Sequence, residues 1–148
     1  GTENDVHEFI ESSRLEFSKL PIEEVSFPRG VSDIKKYYNA ASIYNKGTPI
    51  HVRGSLLYNN YLYKYNIDKK YPVIQNGEKI KFCYMKLPNI MNENVISFVS
   101  ALPKEFELES YIDYDTQFQK SFVEPLGVIL DKIGWTTEPV STLESFFG

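Results

Sequence analysis

The chain has 148 residues, 42% of them hydrophobic, which suits one compact domain with its own core. Its one cysteine excludes an internal disulfide, and no apolar run approaches the ~20 residues that span a bilayer. The net charge of -4 argues, taken alone, against a nucleic-acid partner, because phosphate contacts need Lys and Arg. The start lacks an initiator Met and the features of a signal peptide, so we expect an intracellular fragment of a longer polypeptide, bound to no membrane.

Helical periodicity dominates the first part of the chain. Asp5 followed by Glu8 predicts a capping box, and apolar residues then recur at helical spacing until Pro21. These residues are Val6, Phe9, Ile10, Phe17 and Leu20. After a turn at residues 27–30, Ser32 or Asp33 is a candidate cap for a short helix. Residues 51–65 are predicted as a second long helix.

Strand periodicity follows the Asn76-Gly77 turn signal. Ile80, Phe82 and Tyr84 alternate with Lys79, Lys81 and Cys83, a period of two that predicts a half-buried strand. Residues 95–99 are a second strand candidate and a hairpin partner for the first. Residues 118–133 are helical again, and Pro125 either starts a second helix or kinks a single one. The predicted fold class is α+β, mainly helical, with a small antiparallel element between residues 78 and 100.

Charge is distributed unevenly along the chain. Between Val25 and Lys86 there are eleven basic and three acidic residues, a balance of +8. The remainder has 5 basic and 17 acidic residues, a balance of -12. A basic middle between acidic ends indicates an anionic partner, although a solvated lysine surface is the alternative interpretation.

No catalytic constellation is convincing. His7 and His51 each lack a nearby His or Cys, so we expect no zinc site. Cys83 lies inside a strand pattern, so we expect a core or surface residue and not a nucleophile. Asp113 and Asp115 alternate and are candidates for holding Mg²⁺, but acidic residues at a helix start also complement the helix dipole. We therefore predict no catalytic residue and no metal site in this chain.

The segment 48–54 carries the strongest local binding signal. It places His51 and Arg53 at the start of a helix, where unpaired amides and the positive end of the dipole favour a phosphate. The alternative is that Arg53 is paired with one of the carboxylates of the chain. The residue pattern leaves both interpretations open.

Several blocks along the chain carry a family resemblance. They are Ser26-Phe27-Pro28-Arg29-Gly30-Val31, Ile50-His51-Val52-Arg53-Gly54 with Tyr58-Asn59, Asn76-Gly77-Glu78-Lys79, Tyr111-Ile112-Asp113-Tyr114 and Phe122-Val123-Glu124-Pro125-Leu126. In this order and spacing the chain resembles the C-terminal thumb of the family B replicative DNA polymerases of T-even-type bacteriophages. The resemblance implies residues 1–135 as a thumb domain and residues 136–148 as a tail.

The same resemblance implies a role in a larger enzyme. In that family the thumb closes over the primer–template duplex, while the palm carries the catalytic aspartates and Mg²⁺. The palm would be a further partner, no cofactor would bind this fragment, and the protein would act in the cytoplasm of the infected host cell. We predict that seven residues contact phosphates across the minor groove, with little base reading. They are Arg29, Lys35, Lys36, Lys46, His51, Arg53 and Lys79.

The last residues carry a separate signal. Leu143, Phe146 and Phe147 have the spacing of a sliding-clamp-binding peptide, although Val140 stands where the commoner version has Gln. The resemblance implies that this tail tethers the polymerase to its clamp. An alternative function follows, in which the chain acts mainly as the clamp anchor and contacts DNA little. A further alternative is that these residues close a corner of the core.

Overall fold

A computed structural model describes residues 1–139. The chain divides into two compact units, one formed by Gly1–Leu20 with the chain from Tyr114 onward and the other by Pro21–Asp113. Both helices and small antiparallel sheets are present, which confirms the predicted α+β class. Within the described residues, no helix combines the length and apolar character needed to cross a bilayer. The predicted boundary at residues 135 and 136 stays a prediction.

The first unit begins with helix α1, Glu3–Phe17. Its capping box joins Thr2 and Asp5, not Asp5 and Glu8, because Thr2 takes the extended backbone that lets its hydroxyl accept from the Asp5 amide at 3.2 Å. Ile10 is buried as predicted. The predicted apolar face was wrong for Phe9, which is 58% exposed, and for Leu20, which is 38% exposed and lies beyond the end of α1. The buried face of α1 is therefore narrower than the sequence indicates.

A second helical run completes this unit. Helix α5, Tyr114–Phe118, continues through a π-helical turn, Gln119–Val123, into helix α6, Glu124–Asp131. Pro125 lies in the first turn of α6, but Val123 and Glu124 before it already have αR backbone, so the helical run is continuous and Pro125 does not start a separate helix. Phe118 and Val123 pack with Ile10 in the core of the unit.

The second unit is built on a three-stranded antiparallel sheet. Strand β1, Phe27–Gly30, pairs with β4, Lys79–Tyr84, which pairs with β5, Val95–Phe98. The predicted hairpin of β4 and β5 is confirmed. Strand β1 was predicted as a turn, which was wrong. It contains Pro28, which an edge strand tolerates because one side of its ladder has no partner.

Helix α4, Ile50–Lys64, packs on β5 and buries much of its surface. Leu57, Tyr58 and Leu62 are buried as the periodicity predicted. The helix lies close to the strand at Gly54, where an added Cβ would be 2.9 Å from the Ser97 nitrogen. The absence of a side chain at Gly54 therefore lets α4 approach the sheet backbone.

Short elements complete the unit. Helix α2 spans Ile22–Val25, and helix α3 spans Ile34–Tyr37, the short helix predicted after the turn. A two-residue ladder joins β2, Tyr38–Asn39, to β3, Ile43–Tyr44. Two 3₁₀ turns, Lys104–Phe106 and Glu109–Tyr111, follow β5. Tyr58 and Phe106 pack edge to face, with ring centroids 6.0 Å apart, and extend the core toward these turns.

Candidate nucleic-acid interface

The N-terminus of α4 is the first feature of the candidate interface. Pro49 precedes the helix and provides no side-chain cap, while its carbonyl accepts from the amides of Val52 and Arg53 at 3.0 and 2.9 Å. Among residues 1–139, none accepts a hydrogen bond from the amides of Ile50 or His51. Two backbone donors at the positive end of a 15-residue helix dipole are thus available to an anion.

Arg29 lies beside this helix end. The Arg29 side chain is exposed on β1, and its charge acts on the half-buried His51 ring. Burial lowers the pKa of His51, Arg29 lowers that pKa further, and a hydrogen bond with the Gly30 backbone acts in the opposite direction. The imidazole is therefore neutral at pH 7, and its one N–H is donated to the Gly30 carbonyl, so Arg29 and the backbone amides are the groups at this helix end that can meet an anion.

Arg53, also in the first turn of α4, is hydrogen-bonded to side chains of the same unit. Its Nη1 donates to Glu93 Oε2 at 3.2 Å and to Asn94 Oδ1 at 2.7 Å. The Tyr44 hydroxyl donates to the same carboxylate at 2.8 Å, and the guanidinium lies 5.6 Å from the centre of the Tyr44 ring. Burial raises the pKa of Tyr44, and Glu93 raises it further. The pairing with a carboxylate, one of the two interpretations of Arg53, is the arrangement observed.

Three more predicted cations are exposed around α3. Lys35 and Lys36 lie on that helix, with Lys36 Nζ 5.4 Å from the centre of the Tyr37 ring. The Asn45 amide donates to the Tyr37 carbonyl at 2.8 Å, which brings the chain just before Lys46 alongside α3. Within the described residues, none of these three lysines forms an ion pair.

Lys79, the last of the predicted set, lies apart from Arg29. The β1–β4 register pairs Arg29 with Ile80 and Gly30 with Lys79. Directly opposed residues share a face and successive residues alternate, so Arg29 and Lys79 project from opposite faces of the sheet. The structure thus brings Arg29 together with His51 and separates Lys79 from them.

The partners of Arg53 could not be predicted from the sequence. Glu93 and Asn94 lie 40 and 41 residues after Arg53, beside β5, and no spacing rule connects them to a helix start. The partner of Lys81 was not predicted either. The Lys81 Nζ donates to the Glu23 carbonyl at 2.8 Å and so links β4 to α2. Arg53 and Lys81, which belong to the basic pattern, thus each have a partner within the fold.

The described residues also bear on the catalytic candidates. Within residues 1–139 no cluster of three His, Cys, Asp or Glu side chains is placed to hold a metal ion. Asp115 lies in the first turn of α5, where its charge complements the helix dipole. Burial raises the pKa of Cys83 to about 12, so its thiol is a poor nucleophile.

The clamp-binding candidates Leu143, Phe146 and Phe147 lie outside the described residues. The chain just before them is anchored within its unit. The Thr136 amide donates to Glu3 Oε2 at 2.9 Å, and the Thr136 carbonyl lies 2.9 Å from His7 Nε2.

Comparison with known proteins gives one informative similarity. No family model matches the chain. Over 150 aligned positions, covering 99% of its length, the chain is 29% identical to the DNA-directed DNA polymerase of Enterobacteria phage T4. The chain spans 16% of the length of that protein. Nearly the whole chain is therefore similar to one part of the phage enzyme.

Proposed function

We propose that this chain is the thumb of a phage family B replicative DNA polymerase and that it grips the primer–template duplex by its phosphates. The similarity to the T4 enzyme supports a polymerase fragment. The observation that carries the grip is the position of Arg29 beside the free amides of Ile50 and His51 at the start of α4. Backbone donors with a guanidinium form a phosphate site that reads no base.

The three exposed lysines near α3 extend the phosphate contact beyond the start of α4. Lys35, Lys36 and Lys46 provide exposed positive charge on flexible side chains, which can reach neighbouring phosphates of a duplex. Arg53 holds the start of α4 in place through Glu93. Lys79, on the other face of the sheet, contributes charge to a different part of the surface or contacts a separate phosphate.

The rest of the proposed enzyme supplies the chemistry. The palm, the catalytic Mg²⁺ and the sliding clamp are proposed partners of the whole polymerase in the cytoplasm of the infected cell. The tail with Leu143, Phe146 and Phe147 would tether the enzyme to the clamp, which raises the effective concentration of the thumb at the duplex.

The test is fluorescence anisotropy of a labelled primer–template duplex over a salt series, with Arg29→Ala and the control Lys69→Ala. Lys69 is an exposed cation of the same unit outside the proposed contact. Loss of one phosphate contact should reduce the salt slope of log affinity by about 0.9 in Arg29→Ala and leave Lys69→Ala unchanged. Two duplexes of unrelated sequence should bind equally.

A tail deletion separates this function from the clamp anchor. Removing residues 143–148 should abolish clamp binding and leave duplex affinity intact. Binding to the clamp combined with no measurable affinity for duplex at low salt would refute the grip and leave the anchor function.

A further inference from the structure

A groove on the second unit lies between α3, α4 and the loop of residues 74–76. Its volume is about 680 Å³, within the range of small-molecule sites. The floor is apolar, since Ile34, Leu56 and Ile74 are each at most 6% exposed. The groove is therefore large enough for a ring system and dry enough at its base to accept one.

Hydrogen bonds hold the walls of the groove in position without a ligand. The Asn59 side chain donates to the Ile74 carbonyl at 2.9 Å and accepts from the Ile74 amide at 2.8 Å. On the opposite wall, Asn76 Oδ1 accepts from the Ile34 amide at 3.2 Å. Helix α4, the loop and α3 are thus linked across the groove, and a ligand would pay little to order it.

The rim carries the groups that recognise a nucleotide. Tyr38 lines the groove with a side chain 56% exposed, which provides an aromatic face for stacking. Lys35 is exposed beside it and forms no ion pair among the described residues. The Gln75 amide and the NH₂ group of Asn76, whose oxygen is taken by the Ile34 amide, add groups that can bond the edge of a base.

The charge of the rim selects among occupants. Among the described residues, no Asp or Glu lines the groove, so it offers nothing to a cationic ligand. An apolar peptide would cover the floor but leave Lys35 and the amides without partners, which costs free energy. An anionic ligand with one flat polar ring matches every group of the rim.

We propose that this groove binds one unpaired nucleotide of single-stranded DNA, with its base against Tyr38 and its phosphate toward Lys35. The base must be unpaired, because a base stacked inside a duplex cannot reach a ring on the protein surface. The site would hold a frayed or displaced strand end. It shares Lys35 with the proposed duplex grip, whereas Tyr38 has no part in that contact and distinguishes the two.

The test is the affinity of the 148-residue chain for a labelled short oligo(dT), with Tyr38→Ala, Tyr38→Phe and the control Tyr63→Ala. Tyr63 is 57% exposed on α4 and does not line the groove, so it matches Tyr38 in type and exposure. Tyr38→Ala should weaken binding roughly tenfold, as expected for the loss of one base–aromatic stack. Tyr38→Phe and Tyr63→Ala should bind as the unmodified chain does.

Two further measurements complete the test. An abasic strand of the same length keeps the phosphates, and its affinity should be unchanged by Tyr38→Ala. Duplex binding should also be unchanged by Tyr38→Ala, so failure of this site is distinguishable from failure of the grip. Equal oligo(dT) affinity in Tyr38→Ala and the unmodified chain, or equal losses in Tyr38→Ala and Tyr63→Ala, would overturn the proposal.

Discussion

Replacing Gly54 with Ala tests how α4 is held on the sheet. Helix propensity alone predicts that Gly54→Ala stabilises α4 by about 1 kcal/mol. The packing predicts the opposite result. The new Cβ would lie 2.9 Å from the Ser97 nitrogen and 3.1 Å from the Ile96 carbonyl carbon, and it would also meet the Ser97 hydroxyl. Strand backbone cannot rotate away, so the whole helix must move.

The expected magnitude follows from these two opposing effects. Overpacking a core costs about 1–3 kcal/mol, and contact with backbone on a central helix favours the upper part of that range. After the gain in propensity, we expect Gly54→Ala to lower the free energy of unfolding by about 2 kcal/mol. With a urea m-value of about 2 kcal/mol/M, the midpoint falls by about 1 M.

The assay is urea unfolding followed by far-UV circular dichroism, with Gly127→Ala as the matched control. Gly127 lies inside α6, where an added Cβ would be 3.4 Å from Thr137 Cγ2, an ordinary contact. This control should gain up to about 1 kcal/mol from propensity. Trp135 fluorescence reports its unit separately. If Gly54→Ala were as stable as Gly127→Ala, the close packing of α4 on β5 would be refuted.

Three further predictions concern side chains that hold the second unit together. Glu93→Gln should lower the free energy of unfolding by about 1–2 kcal/mol, because Arg53 loses a charged acceptor in a half-buried site; an unchanged urea midpoint would contradict this. Hydrogen bonding from Lys70 lowers the pKa of Glu105 to about 2, so the stabilisation from this carboxylate is present above its ordinary value of 4.5 and is lost as pH falls toward 2. The Tm difference between the unmodified chain and Glu105→Gln should therefore shrink over that interval, and a constant difference would refute the assignment. Cys83, with its pKa raised to about 12 and its side chain buried, should react with a thiol reagent only on unfolding, and rapid labelling of the folded chain would contradict its placement.

Local pattern predicted much of the fold. The alternation of Ile80 and Phe82 with polar neighbours identified β4, because one face of a strand is buried. Strand β1 was missed because Pro28 and Gly30 are signals of a turn, and only the position of β1 at the sheet edge makes them acceptable. Phe9 was placed on the apolar face of α1 by spacing alone, which cannot determine how wide the buried face is.

The candidate site depended on contacts that sequence spacing does not contain. The interpretation of Arg53 stayed open until Glu93, 40 residues away, was seen beside it. Arg29 and Lys79 lie in one basic region of the sequence, but the strand register places them on opposite faces. The position of His51 at a helix start was predicted from the sequence, whereas its neutral ring follows from its burial and from Arg29.

Amide chemical shifts show directly whether phosphates bind at the start of α4. A primer–template duplex is titrated into the ¹⁵N-labelled chain, and every amide is followed by NMR. If phosphates bind there, the amides of Ile50 and His51 shift first and furthest, and Arg29→Ala reduces those shifts. Shifts concentrated in the unit of α1 and α6, with Ile50 and His51 unmoved, would contradict such binding.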